Sequence, residues 1–229
     1  MPVSYLFHLP ILFAYFYFSP PPNGTVNYVD TNAVGTNDGS SWANAYQRLE
    51  EAIDAAAPGD TIWIAQGTYR PTPGSDRSVS FHIQKPLALY GGFQGNETTL
   101  QERDPASFIT LLSGDIGIAG DSLDNSYRVL TIEGADATVT LDGLSVAYAL
   151  NNASTNNLVE QSAGGILVDD TEVHAYNLQV HHNTARYGGG LAAWSGANWQ
   201  ASYCRFSQNR AYAFSDRCGG AVYASTTPV

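Results

Sequence analysis

Between residues 42 and 57 apolar side chains recur at steps of three and four, at Tyr46, Leu49, Ile53 and Ala56. That spacing lays one apolar stripe along a helix. An amphipathic helix is therefore predicted over 42–57, with Ser40 or Ser41 placed to cap its start and Pro58-Gly59-Asp60 to end it. The period then drops to two. Thr61 to Ala65 alternates and stops at Gly67, a short strand, and further apolar runs at 79–83, 86–90, 108–112, 129–132, 139–141 and 144–146 are separated by Gly, Asn and Asp. One helix ahead of many strands reads as a plug over a sheet edge that would otherwise invite edge-to-edge pairing.

The later part of the chain repeats itself. Gly164-Gly165-Ile166-Leu167 is echoed by Gly189-Gly190-Leu191-Ala192 and by Gly219-Gly220-Ala221-Val222, at steps of 25 and 30. A second echo sets Leu178, Val180, Asn183 and Ala185 against Cys204, Phe206, Asn209 and Ala211, each displaced by 26, and Leu144 with Val146 begins a looser, earlier copy. A strand-bearing repeat of this length without a helix fits one coil of a β-solenoid, which cannot bury its apolar face alone and becomes stable by stacking on its neighbours. Asn183 and Asn209 would then form a ladder that satisfies backbone groups at a bend. The expected fold class is all-β, a right-handed parallel β-helix (solenoid) with an N-terminal capping α-helix.

Composition narrows the setting. Only 14% of the 229 residues are charged, and ten Lys and Arg against twenty-one Asp and Glu give a formal charge of -11. That balance is a poor match for a phosphate backbone, which is bound through basic side chains, so no nucleic acid partner is expected. It also disfavours anionic membranes and polysaccharides unless a cation such as Ca²⁺ intervenes. Residues 3–18 are almost wholly apolar and are followed by a Pro-rich polar run. Residues 1–19 thus read as an export signal and 20–27 as a linker, ahead of a parallel β-helix domain over 28–229. The apolar stretch is short for a membrane span and does not recur, so no membrane insertion of the mature domain is expected.

Tyr28-Val29-Asp30-Thr31-Asn32, Gly39 to Trp42, the predicted helix and the stretch from Pro58 to Tyr69 together resemble the opening of secreted bacterial right-handed parallel β-helix proteins of the pectin-lyase-like superfamily. Further on, Tyr90-Gly91-Gly92-Phe93, Gly95-Asn96-Glu97, Leu112-Ser113-Gly114-Asp115 and the Asn-x-Ala units followed by Gly-Gly are similar to surface proteins with polymorphic outer-membrane-protein-type repeats. The resemblance runs from Tyr28 to the end. It implies the β-helix and a secreted or cell-surface location, with a C-terminal anchor or cap beyond Val229; its members include lyases, hydrolases, adhesins and passenger domains, so it implies function weakly.

Several residues could carry chemistry. Asp115, Asp121 and Asp124 with Asn125 could offer hard oxygen ligands to Ca²⁺, but their spacing matches no compact calcium loop and turn chemistry is the simpler reading. Asp169-Asp170 with Glu172 is similarly ambiguous. His181-His182 suggests a metal, yet neighbours on a strand point to opposite faces and no third ligand has a recognisable spacing. The aromatics Trp194, Trp199, Tyr187, Tyr203 and Tyr212, with Arg186, could stack on sugar rings, or else stack between coils inside the fold. Arg186, Arg205, Arg210 and Arg217 could line a face or sit solvated at a rim, and residues 151–157 could form a rim loop. Cys204 and Cys218 could form one disulfide, or Cys204 could be a small core residue. Asn23, Asn96 and Asn152 each head an Asn-x-Ser/Thr sequon.

Three functions remain open. The preferred one is an extracellular or cell-surface module, adhesin-like or contacting a polysaccharide or surface glycan, without its own catalysis and requiring no cofactor. The alternative is a carbohydrate-active lyase or hydrolase with a groove on one outer face, which calls for Asp and Arg clustered across neighbouring coils. The third is a bare structural spacer.

Overall fold

A computed structural model of the protein describes residues 24–212 and 219–225. The segments expected as an export signal and the start of a linker, with Arg217 and Cys218, lie outside them. The chain opens with β1 (Val26–Val29) and α1 (Leu49–Ala55), followed by β2 (Thr61–Ala65), β3 (Gly67–Tyr69) and β4 (Phe81–Ile83). The next two rounds are β5 (Ala88–Phe93), β6 (Thr110–Ser113) and β7 (Leu130–Glu133), then β8 (Val139–Asp142), β9 (Leu144–Ala147) and β10 (Ile166–Asp169). The fourth is β11 (Glu172–Tyr176), β12 (Gln179–His181), β13 (Thr184–Ala185) and β14 (Leu191–Trp194). Last come β15 (Asn198–Ser202), β16 (Arg205–Ser207), β17 (Arg210–Ala211) and β18 (Val222–Ala224).

From β2 onward the chain visits three sheets in rotation. Sheet I is β1-β2-β5-β8-β11-β15, sheet II is β3-β6-β9-β12-β16 and sheet III is β4-β7-β10-β14-β18, with β13 and β17 as a separate pair. The pairings within them are parallel. The architecture is mostly β, with parallel strands in stacked sheets, compatible with a β-helix.

Alternation explains the core. On sheet III, Phe81, Leu130, Ile166, Leu191 and Val222 form one inward row. Tyr69, Leu112, Val146, Val180 and Phe206 form another on sheet II. The 26-residue echo is in register as expected, with Val180 opposite Phe206 and Ala185 opposite Ala211. The Asn ladder also forms: the Asn183 side-chain amide donates to Asn209 Oδ1 at 3.2 Å and to Val146 O at 3.0 Å, while Asn209 Nδ2 donates to Val180 O at 2.7 Å.

Two expectations need correction. The helix begins at Leu49 rather than Trp42, with Arg48 at its N-cap and no side-chain cap bond. Residues ahead of it are held elsewhere, because Tyr46 bridges β1, donating its amide to Tyr28 O and accepting from the Asp30 amide. The third Gly-Gly echo is out of step by one residue: Val222, not Ala221, lies opposite Leu191. A one-residue slip exchanges the two faces of a strand. The observed register sends Tyr223 outward, 5.3 Å ring to ring from Trp194 and 5.6 Å from Tyr187.

Residues with left-handed backbone, all but one of them non-glycine, recur at the corners. Between sheets I and II the turn is made by Gly143, Asn177 and Tyr203 in successive rounds, with φ of 71°, 51° and 57°. After sheet II it is made by Tyr148, His182 and Gln208, with φ of 68°, 54° and 55°.

Candidate functional site

The outer faces differ in what lies on them. Over the first strands of sheet I, Tyr28, Trp42, Trp63 and Phe93 pack together, Trp63 and Phe93 stacked at 4.8 Å. Trp42 Nε1 donates to Glu97 O at 2.9 Å, and the Glu97 carboxylate accepts the amides of Gln94, Gly95 and Asn96. Burial raises the affinity of that carboxyl for its proton, but the three amides outweigh it and hold the pKa below its ordinary value. Tyr28, Trp42, Phe93 and Glu97, which carried the family resemblance, therefore meet in one structural cluster.

The outer face of sheet III is covered by residues 159–163. Leu167, Ala192 and Trp194 pack there against Val159 and Ala163. Trp194 is 2% exposed and its Nε1 donates to Ser162 Oγ at 2.9 Å. Asn151 Nδ2 donates to Glu160 O and Ser162 O, each at 2.9 Å, and Arg128 Nη2 to Val159 O and Ser162 O, again at 2.9 Å. Arg186 is held by Gln161 Oε1 at 2.8 Å, and Tyr212 Oη donates to Asn151 O at 3.0 Å. The cover is made by residues 159–163, secured by Arg186 and, through Asn151, by Tyr212, while residues 152–157 of the expected rim loop are exposed or half-exposed beside it.

What stays open is the outer surface of the last strands of sheets I and II; Thr140, Asp142 and Ser145, in the earlier round, are buried. On sheet I, Thr140, His174 and Gln200 share a row, as do Asp142, Tyr176 and Ser202. Glu172 Oε1 accepts from Gln200 Nε2 at 3.1 Å and from Asn198 Nδ2 at 3.4 Å, and meets His174 Nε2 at 3.0 Å. On sheet II the outward residues are Ser145, Gln179 and Arg205, followed by His181 and Ser207. Ser145 Oγ and His181 Nε2 share a hydrogen bond of 2.9 Å, and His181 Nδ1 lies 2.8 Å from His182 Nδ1. Burial first, then the neighbouring charges of His182 and Arg205, pull the His181 pKa below its ordinary value. Tyr203 stands at the corner joining the two faces, 89% exposed.

The structure does not gather the five sequence-selected aromatics onto one row. Trp194 is buried under the cover, Trp199 lies against the core on the inward row with Val173, Tyr187 stacks near Tyr223, Tyr212 is bonded to Asn151, and Tyr203 alone of the five projects at the open corner. Asp115, Asp121 and Asp124 each accept a local amide, from Gly120, Leu123 and Ile118, at 2.9, 3.0 and 2.7 Å, which is turn chemistry. Among the described residues no group of three or more His, Cys, Asp or Glu converges as a metal site. The Cys204 thiol is half-buried beside the core and 3.5 Å from Ala175 O; its expected pairing with Cys218 lies outside the described residues. Asp142 is closed by an ion pair with Arg103 and by Asn177 Nδ2 at 2.8 Å. Glu172, His174 and Gln200 were missed as a cluster, since only the 26-residue step to Gln200 and the 34-residue step back to Thr140 bring them together.

Among the described residues no helix is long and apolar enough to cross a membrane. Comparison with protein-family models, with curated proteins and with solved structures returned no match.

Proposed function

We propose that the chain is an exported, right-handed parallel β-helix of the pectin-lyase-like kind that contacts a neutral polysaccharide or surface glycan through the open face of sheets I and II, without catalysis of its own. The rotation of strands through three parallel sheets supports the fold, because crossovers between parallel strands of one sheet are right-handed in about 98% of cases. One observation carries the functional reading: Tyr203 is 89% exposed while its backbone is left-handed, φ 57°. A bulky residue there costs on the order of 1 kcal/mol, and such strain clusters at working sites. Flat aromatic rings flanked by amide and hydroxyl side chains are what a sugar ring needs, a stacking surface with directional hydrogen bonds beside it. Gln200 and Ser202 on β15 and Gln179 on β12, the outward residues of the strands beside that corner, would supply the latter.

Two arginines are occupied away from any shared Asp and Arg cluster, while Arg205 lies exposed on the open face. Arg103 is engaged with Asp142, and Arg186 with Gln161 on another side of the molecule. Neither is poised as a base.

The test is Tyr203→Asn in the full chain, assayed on an array of neutral and acidic polysaccharides and by thermal melting. Asn tolerates the left-handed corner, so the melting temperature is expected to rise slightly while glycan retention drops at least tenfold. Wild-type protein that binds no polysaccharide, or a variant that binds as well as wild type, overturns the reading.

A further inference from the structure

On a straight strand His181 and His182 would face opposite ways. The structure removes that objection, because His182 is the corner residue after β12 and its φ of 54° swings its ring back toward its neighbour. The two rings stand edge to face, 82° apart with centroids at 5.1 Å, and their Nδ1 atoms share a hydrogen bond of 2.8 Å, one N–H donating to the other ring, so that a metal taking both nitrogens replaces the bridging proton. Tyr148, the corner residue of the preceding round, closes over them, 5.5 Å from the His182 ring and 5.8 Å from that of His181.

Two nitrogens 2.8 Å apart, each at about 2.0–2.1 Å from a common metal, subtend about 90° at it. That is the cis angle of a tetragonal centre; tetrahedral zinc would want the nitrogens several tenths of an ångström further apart. We propose that His181 and His182 chelate a tetragonal divalent transition metal, Cu²⁺ before Ni²⁺, through both Nδ1 atoms, with water in the remaining positions.

The surroundings fit that chemistry. A histidine bound through Nδ1 carries its proton on Nε2, and His181 Nε2 already has an acceptor in Ser145 Oγ at 2.9 Å, the outer partner that fixes tautomer and ring orientation. Ser145 is itself buried, so the support is rigid. With its proton on Nε2, His181 accepts from His182 Nδ1–H, so binding asks only that His182 move that proton to its own Nε2, with no net release when both rings start neutral. Arg205 opposes it, since the charge that disfavours a protonated His181 also disfavours a cation beside it.

The experiment is a titration of the full chain with Cu²⁺ buffered by glycine, read by calorimetry and by electron paramagnetic resonance. One equivalent is expected, with superhyperfine coupling to two imidazole nitrogens. His182→Asn, which keeps a residue at ease in the left-handed corner, and His181→Gln should each weaken binding at least tenfold. Ser145→Ala should weaken it about tenfold, Arg205→Gln should tighten it, and His82→Gln and His174→Gln should leave it unchanged. Retention of the site in both His181→Gln and His182→Asn, or a wild-type spectrum with fewer than two coupled imidazoles, overturns the proposal. The spectrum reports on the unmutated protein, so the inference stands or falls even where a variant fails to fold.

Discussion

Sheet III and the later part of sheet I share an alternation and an outward row, but their outer surfaces have opposite fates. On sheet III the outward row runs Leu167, Ala192 and Tyr223, with Trp194 beside it, and that apolar surface lies beneath residues 159–163. On sheet I the row runs Thr140, His174 and Gln200, and Gln200 is exposed with its neighbours Asn198 and Ser202. Alternation alone decides which residues point out; the chemistry of those residues decides whether the surface must be covered. A cover removes a face from service, and a polar face without one is available to a ligand.

The largest effect should come from the covered side. Trp194→Ala removes a fully buried indole and leaves Ser162 Oγ without its donor, so unfolding free energy should drop by about 3–5 kcal/mol. Gln200→Ala, on the open face, should stay within about 0.5 kcal/mol of wild type. Chemical denaturation of both variants measures the contrast. Equal losses would mean that the two outer faces are not different in kind.

Next in size is the Asn ladder. Asn183 is fully buried and connects three rounds, accepting from the Ala149 amide at 3.1 Å and donating to Val146 O and Asn209 Oδ1. Asn183→Ala strands those backbone partners away from water and should cost about 2–3 kcal/mol. Asn209→Ala, in the half-buried next round, should cost less. Denaturant midpoints for the pair decide whether the bends contribute to stability as heavily as the apolar rows do.

That ladder was legible in the sequence because four positions shared one displacement. So were the strands, whose apolar runs fall within a residue or two of β2, β4 and β6 to β9 and stop three residues short of the end of β5. The helix start was not, because Trp42 and Tyr46 carry helical spacing yet are drawn off, Trp42 into an aromatic cluster and Tyr46 into a bridge with β1. The Gly219-Gly220 register was misread because a glycine pair can slide by one unless a side chain fixes it, and Tyr223 fixes it here. Of the site, Tyr203 was found by residue type. The His181–His182 convergence was hidden by the assumption of a straight strand, and the left-handed corner at His182 is a property of the coil rather than of the dipeptide.

The smallest predicted effect is a difference in the pH window over which the two regions lose stability. His181, on the open face, has its pKa held below 6.5, chiefly by burial. The unfolded chain therefore binds a proton before the folded one does as pH falls. Stability contributed by the neutral ring is complete above about 6.5, declines as pH drops toward the folded value, and then levels off. Glu97, beneath the aromatic cluster, and Asp60 also have lowered values: burial opposes ionisation in both, but in Asp60 the Ala57 and Thr25 amides, the Thr25 hydroxyl and the Asn27 side chain outweigh it. Their contribution is intact above about 4.5 and is lost only as pH falls below it. Melting temperature should accordingly decline in two steps on acidification. His181→Gln should abolish the first and spare the second, while Glu97→Gln should blunt the second alone. A melting temperature that stays flat between pH 7 and 5 would show that the imidazole on the open face is as free to take a proton as one in water, and would remove the distinction between its enclosed ring and the exposed side chains around it.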